Sequence, residues 1–375
     1  MKFKILADFQ ENNQFYHKNV YEMTWKFVPY VDEDDHNKFH YFKFIEIDKS
    51  KDLSDDHYIF PIFYQAAETQ FLNQTDNNAI IDFITKNKDL FVSKKLIPVF
   101  LDPLEGNHGF KEPLDNFSQM FPDITFYFIS GDYNLTNTTN KFKFKFNDQW
   151  IHHVEPLEQG ILFRPKKTYI NLNRVARFHR CMLMDAIINN KLLKKGFNTW
   201  ANTYGAFDEY KEQYPHTKID KTTFGTLDVH DITKSNPTLK VPIEHCASSM
   251  FYIVTETHFD KEVLFLSEKT YKPISIGMPF MSLGNPGTLK YLRSIGFETF
   301  SKWIDESYDL DIPLEERVEI IINNLKKLDK LDIVSKVNLR RQMQKVCDHN
   351  LSQYKKLQRK NTLIKIFKDI LEEAK

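Results

Sequence analysis

The sequence predicts an α/β protein of two domains. Three observations carry that prediction. Aromatic and β-branched runs alternate with helically spaced ones, several of the runs read as fully buried strands, and 375 residues are more than one core of ordinary size takes up. Hydrophobic residues make up 41% of the chain and charged residues 27%, a globular balance with no run near the ~18 unbroken apolar residues of a membrane span. The opening MKFKILADFQENNQFYHKN turns polar and acidic within ten residues and lacks the apolar core of a secretory signal, so a cytoplasmic protein is expected. Cys181, Cys246 and Cys347 lie far apart with no CxxC pair and read as reduced structural thiols.

Taken in order, YFKFIEI (41–47) and HYIFPIF (57–63) are strand-like, and NAIIDFITKNKDLF (78–91) has helical spacing with Asn77 or Asn78 as a cap. LIPVFLD (96–102) and ITFYFIS (124–130) read as buried strands, separated by the loop PLEGNHGFKEP and a short helix LDNFSQMF. Strand, helix, strand in this order means a parallel sheet. NLTNTTNKFKFKFNDQ (134–149) is the most polar connection, and the boundary of a first domain, 1–160, is expected shortly after it. A second unit, 161–312, opens with the strand TYINL and a helix from Phe178 to Leu193 that Gly196 closes as a C′ residue. SMFYIVTET and PFMSL are further strands, LKYLRSIG is a helix, and helices are predicted over 313–329, 332–348 and 350–373.

Open parallel sheets bind ligands beyond the carboxyl ends of their strands. In NLNRVARFHR, Arg174, Arg177 and Arg180 follow a strand at three-residue spacing, which puts them on one side of a helix. Arginine's rigid fork of donors suits phosphate, and Arg174 and Arg177 are the candidates. In FLSEKTYKPISIGMPFMSLG, Ser267 caps a helix whose first turn holds Glu268 and Lys269, where backbone N–H groups already favour an anion. Lys269 is suited to a diphosphate and Glu268 to sugar hydroxyls. Glu256, directly after its strand, is a second acidic candidate, with a helix cap or ion pair as its alternative role. Asp305, Glu306 and Asp309 of WIDESYD read as a solvated turn.

YIVTETHFDKEVLFLSEKTYKPISIGMPFMSLG resembles the donor-site motif of GT-B glycosyltransferases of the α1,3-fucosyltransferase type, a Tyr-x-Ser/Thr-Glu-Lys segment followed by Gly-x-x-Pro and an apolar strand. Residues 166–310 are also similar to uncharacterised glycosyltransferase-like proteins of phages and marine bacteria. Leu266 stands in place of the motif's tyrosine, and Gly277-Met278-Pro279 is one residue shorter, so the sugar is left open. The resemblance implies two Rossmann-like domains facing a cleft, with C-terminal helices (313–375) packing on them. It also implies a UDP- or GDP-linked sugar as co-substrate and no cofactor. The donor roles fall on Glu268, Lys269 and Arg174 or Arg177.

Inverting transfer needs a base for the acceptor's proton. The loop after LIPVFLD offers Asp102, Glu105 and His108, of which Glu105 is the choice, with Asp132 of FISGDYN as the substitute. Metal independence is expected. The acidic VDEDDH (31–36) reads as a charged loop, and the adjacent His152 and His153 suit no zinc spacing. Residues 321–375 hold 14 Lys or Arg against 6 Asp or Glu. This surplus reads as a solvated helical face or as a footprint for a polyanion; with the resemblance it raises hydroxymethylated pyrimidine in DNA as acceptor, beside a surface glycan, and the aromatic-rich first domain raises a rival reading as a non-catalytic nucleic-acid-binding protein.

Overall fold

The computed structural model describes residues 58–63, 81, 84–102, 111–135, 142–164, 166–173, 175–200, 206–219, 241–360 and 362–374. The chain divides into two compact units, one running up to Gln149 and taking back the stretch after Asn361, the other spanning Trp150–Lys360. Each is an α/β unit on a four-stranded parallel sheet.

In the first unit, β1 (Tyr58–Phe63), β2 (Leu96–Asp102), β3 (Phe126–Ser130) and β4 (Phe142–Phe146) pair in sequence order. Pro61 lies in β1, at an edge of the described sheet, where strands accommodate proline. The described part of the helix expected over 78–91 is interrupted at Asn87, whose carbonyl accepts from Leu90 and Phe91 N–H, before α1 (Lys88–Val92). α2 (Lys111–Met120) fills the β2–β3 crossover.

β4 corrects the reading of 134–149 as a plain polar connection. FKFKF alternates with period two: Phe142 and Phe144 are buried, and Lys143 and Lys145 stand on the other side. Phe142 stacks on Phe126 at 5.3 Å and approaches Phe100 at 5.6 Å, and Phe117 of α2 closes the cluster 5.5 Å from both Phe100 and Phe126. The opposite face, Ile97, Val99, Tyr127 and Ile129, is covered by Phe367, Ile370 and Leu371 of α10 (Thr362–Ala374). Glu373 of that helix pairs with Lys143 and Lys145, which explains why β4 carries lysines on this side.

The second sheet has the order β6-β5-β7-β8: β6 (Gly196–Trp200), β5 (Lys167–Asn173), β7 (Ser249–Thr255) and β8 (Phe280–Leu283). β7 is buried throughout, as a central parallel strand covered on both faces must be. The chain leaves β5 for β6 on one side and resumes at β7 on the other, so the connections diverge between β5 and β7. Right-handed crossovers then put α3 (Phe178–Asn189) and α6 (Glu268–Ser275) on opposite faces. α8 (Leu314–Asp329) packs on α3, and α9 (Ile333–Gln358) on α6. α4 (Phe207–Gln213), α5 (Ile243–Ala247) and α7 (Thr288–Ser294) are short.

Two expectations change here. α3 ends at Asn189 in a Schellman closure, Leu192 N–H to Ile187 carbonyl and Lys191 N–H to Ile188 carbonyl, with Lys191 in the left-handed position at φ 57°. Gly196 is therefore no C′ residue. It opens β6, where a Cβ would stand 2.3 Å from the Tyr169 ring. The helices expected over 332–348 and 350–373 are instead α9, unbroken to Gln358, and α10. Asn350 lies inside α9 rather than at a break. Its buried amide donates to the Glu298 carbonyl and accepts from the Glu298 N–H. α8 and α9 lie in the second of the two units and α10 in the first.

Candidate functional site

The carboxyl ends of β5 and β7 are locked by buried polar contacts. Thr255 Oγ1 donates to Asn173 Oδ1 at 2.5 Å, and Asn171 Nδ2 donates to the Ile253 carbonyl at 3.0 Å. Beyond them lies a cleft of about 750 Å³. Its walls come from the residues that follow β5 (Arg177, Phe178), those that follow β7 (Thr257, Phe259), and α4 with the head of α8. This is the switch point of the sheet, the position where open α/β units hold ligands.

Arg177 is the N-cap of α3, and its carbonyl receives Arg180 and Cys181 N–H. Its side chain lines the cleft with Nε unpartnered. Arg180, a turn on, is buried, and its guanidinium donates to the Val175, Thr255 and Glu256 carbonyls. It ties α3 to the end of β7. Burial, reinforced by Arg177, lowers it to about 10. His179, fully buried against Phe259 at 4.8 Å, has Nε2 2.9 Å from the Glu256 carbonyl, and burial together with Arg180 holds its pKa well below the ordinary histidine value.

Glu256 is the hub of the other rim. Its carboxylate, 0% exposed, accepts five hydrogen bonds: from Thr257 N–H, Ser267 N–H, Ser267 Oγ, Thr270 N–H and Thr270 Oγ1, at 2.5–3.2 Å. It thus neutralises the N-terminus of α6, which fits the cap role weighed for it in the sequence. Its Cβ also fixes Gly284, since a Cβ there would approach it to 2.9 Å. Ser267 is the N-cap of α6, accepting from Lys269 N–H at 3.3 Å. The Lys269 ammonium is held by Glu268 Oε1 at 2.9 Å, Ser267 Oγ at 3.1 Å and Thr257 Oγ1 at 3.3 Å. Thr257 lines the cleft, and Lys269, which is not itself a lining residue, reaches it through that hydroxyl.

Glu268 is 2% exposed. Burial pushes its carboxyl up, but the Lys269 and Lys272 ammoniums outweigh that and hold it below the usual value. Lys272, one turn on and buried, is lowered by burial to about 8 despite Glu268. His153 is lowered to about 4, by burial and by His152 against the opposing pull of Glu268.

The structure therefore brings Arg177, Thr257 and Lys269 to one edge of the sheet and spends Glu256, Glu268 and Arg180 inside the fold. Arg174 and Glu105 lie outside the described residues, as does the acidic stretch 31–36. Asp132 belongs to the first unit. It is buried after β3, its N–H on Ser130 Oγ and its Oδ1 accepting from Asn134 N–H, a turn-forming pattern. WIDESYD is a solvated turn at Asp305, which is exposed and accepts from Ser307, but not at its other two acids. Glu306 accepts from Thr299 Oγ1 at 2.9 Å and from Phe300 N–H, while Asp309 is buried and caps α7 through Leu289 N–H.

Two residues escaped the sequence reading. Arg317, 2% exposed, donates to the carbonyls of Phe259, Gly284 and Tyr308. Nothing in the helical pattern of α8 marks it. Glu209 lines the cleft from α4, a helix whose preceding segment offers no motif. No family model matches the chain, and no curated protein matches it.

Proposed function

We propose that the protein is a glycosyltransferase of GT-B architecture that binds a nucleotide sugar, UDP- or GDP-linked, at the carboxyl edge of its second sheet. The observation that supports this most is the cleft of about 750 Å³ at the switch point. Arg177 heads the helix on one side of it, and Thr257 connects it to the clamped Lys269 on the other. Two cations beside helix N-termini can offset the charge of a departing diphosphate without a metal ion. In the reaction the bond from the anomeric carbon to the diphosphate oxygen breaks, and the acceptor oxygen bonds to that carbon. The acceptor's proton passes to a carboxylate, with Glu105 as the assigned base. Asp132 is the weaker choice because its Oδ1 already closes a turn.

Thermal denaturation of the full chain with UDP, GDP and their sugar conjugates tests the reading. Stabilisation by a nucleoside diphosphate is expected, lost in Arg177→Ala and in Lys269→Ala. Stabilisation by oligonucleotides alone overturns it in favour of a non-catalytic nucleic-acid-binding protein. The acceptor is hydroxymethylated pyrimidine in DNA or a surface glycan. Part of the basic surplus of the last helices is engaged within the chain: Arg340 binds the Gly277 carbonyl, Lys336 reaches Thr168 and Lys355 binds the Glu158 carbonyl. Transfer to duplex that falls steeply with salt identifies DNA, and transfer insensitive to salt identifies the glycan. Among the described residues no helix is long and apolar enough to cross a membrane.

A further inference from the structure

The acids that the sequence motif offers for sugar hydroxyls are not open to the cleft. Glu256 already accepts five bonds, and Glu268 is buried and paired with Lys269. The cleft has carboxylates of its own. Asp260 accepts from Glu262 and Val263 N–H in its own loop, and Glu315 accepts from the Tyr214 hydroxyl at 2.7 Å. Glu209 differs. It is exposed, lines the cleft from the first turn of α4, and among the described residues has no hydrogen-bond partner. Gln213, four residues on and so on the same side of the helix, is also exposed and also lines the cleft. The lining is therefore polarised: a cationic donor, Arg177, at the head of α3, and a free carboxylate with an adjacent amide on α4.

We propose that Glu209, supported by Gln213, recognises a vicinal diol of the ligand whose phosphates lie toward Arg177. A carboxylate is an acceptor with two oxygens, which match two neighbouring hydroxyls as a pair of donors. Phe178 and Phe259, both cleft residues, supply apolar surface beside it. The diol belongs to the ribose of the nucleotide or to the transferred sugar, and both present the same chemistry. This inference rests on the nucleotide-sugar reading and assigns the polarity of that site.

The test is isothermal titration of the full chain, wild type and Glu209→Gln, with UDP and GDP, their 2′-deoxy counterparts and their hexose conjugates. If ribose supplies the diol, the wild type binds the ribonucleotide about tenfold more tightly than the deoxy form, the size of one charge-assisted hydrogen bond. Glu209→Gln then removes the preference, weakening the ribonucleotide about tenfold more than the deoxy form, which keeps one of the two hydroxyls. If the sugar supplies it, the preference is for the conjugate over the bare diphosphate, and Glu209→Gln removes that instead. Nucleotide binding with either preference intact in Glu209→Gln, or with neither preference in the wild type, overturns this inference and leaves the nucleotide-sugar reading standing. Failure of the wild type to bind any of these nucleotides overturns both.

Discussion

Replacing Glu256 with alanine removes the one acceptor shared by five donors at the head of α6. Thr257, Ser267 and Thr270 N–H and the hydroxyls of Ser267 and Thr270 lose it together, in a site that is 0% exposed. A single hydrogen bond to a charged group contributes about 1.5–3 kcal/mol, but bonds sharing one acceptor do not add. The loss expected is that of a broken buried charge network, about 3–5 kcal/mol. For a unit of this size, 1 kcal/mol moves the midpoint by about 2–4 °C, so a fall of roughly 6–20 °C follows. Three of the four tryptophans, Trp150, Trp200 and Trp303, lie in the second unit and Trp25 in the first, so urea denaturation followed by tryptophan fluorescence reports mainly on the second. Ser267→Ala should cost about 1 kcal/mol as a lost cap, and the double variant with Glu256→Ala should cost less than the sum. A Glu256→Ala protein within 1 kcal/mol of wild type, or strict additivity with Ser267→Ala, would refute the hub.

Gly196→Ala drives a methyl into the Tyr169 ring, with nearest atoms at 2.3–2.6 Å, and should destabilise the second unit by about 1–3 kcal/mol in urea titration. Phe142→Ala removes a fully buried ring stacked on Phe126 and should lower the stability of the first unit by about 3–5 kcal/mol, read by circular dichroism. Burial raises the Asp309 carboxyl from the usual 3.8 to about 6, so the folded state holds that proton more tightly than the unfolded chain does. Its contribution is present below pH 4 and is lost as pH rises through 6, an amount of about 3 kcal/mol at 1.36 kcal/mol per pH unit. Asp309→Asn should flatten the stability curve between pH 4 and 6, and an unchanged slope would exclude Asp309 as its source.

Much of this structure was legible from residue pattern. Every strand whose run is continuously apolar, β2, β3, β7 and β8, shows itself, because a parallel strand covered on both faces has no polar positions to disguise it. β4 was hidden by its setting rather than its pattern: FKFKF alternates cleanly, but Asn and Thr before it and Asn and Asp after it read as one polar stretch, and its lysines make sense only beside Glu373 of a helix 228 residues away. β6 was hidden because GFNTW holds two poor strand formers, and the reason for its glycine is a ring on a neighbouring strand. At the site, Ser267 as a cap was readable from spacing. The role of Glu256 was readable only as an alternative, because its five donors come from Thr257 beside it and from Ser267 and Thr270 more than ten residues on. Arg180 shared the spacing of Arg177, yet the two diverge by burial, a property that three-residue spacing does not encode.

Arg317 has a consequence for how such a protein changes its ligand range. One guanidinium fastens the stretch after β7 at Phe259, the stretch after β8 at Gly284 and the stretch after α7 at Tyr308. These three segments are keyed to each other, so a new sequence grafted into one must keep a carbonyl where that key turns. Freedom to vary is left on the far bank, where α4 carries Glu209 and Gln213 without any such fastening. An engineer altering selectivity would begin at these two exposed positions, since α4 itself is kept in place by buried Phe207 and Tyr210 and by the Tyr210 hydroxyl on Asp185.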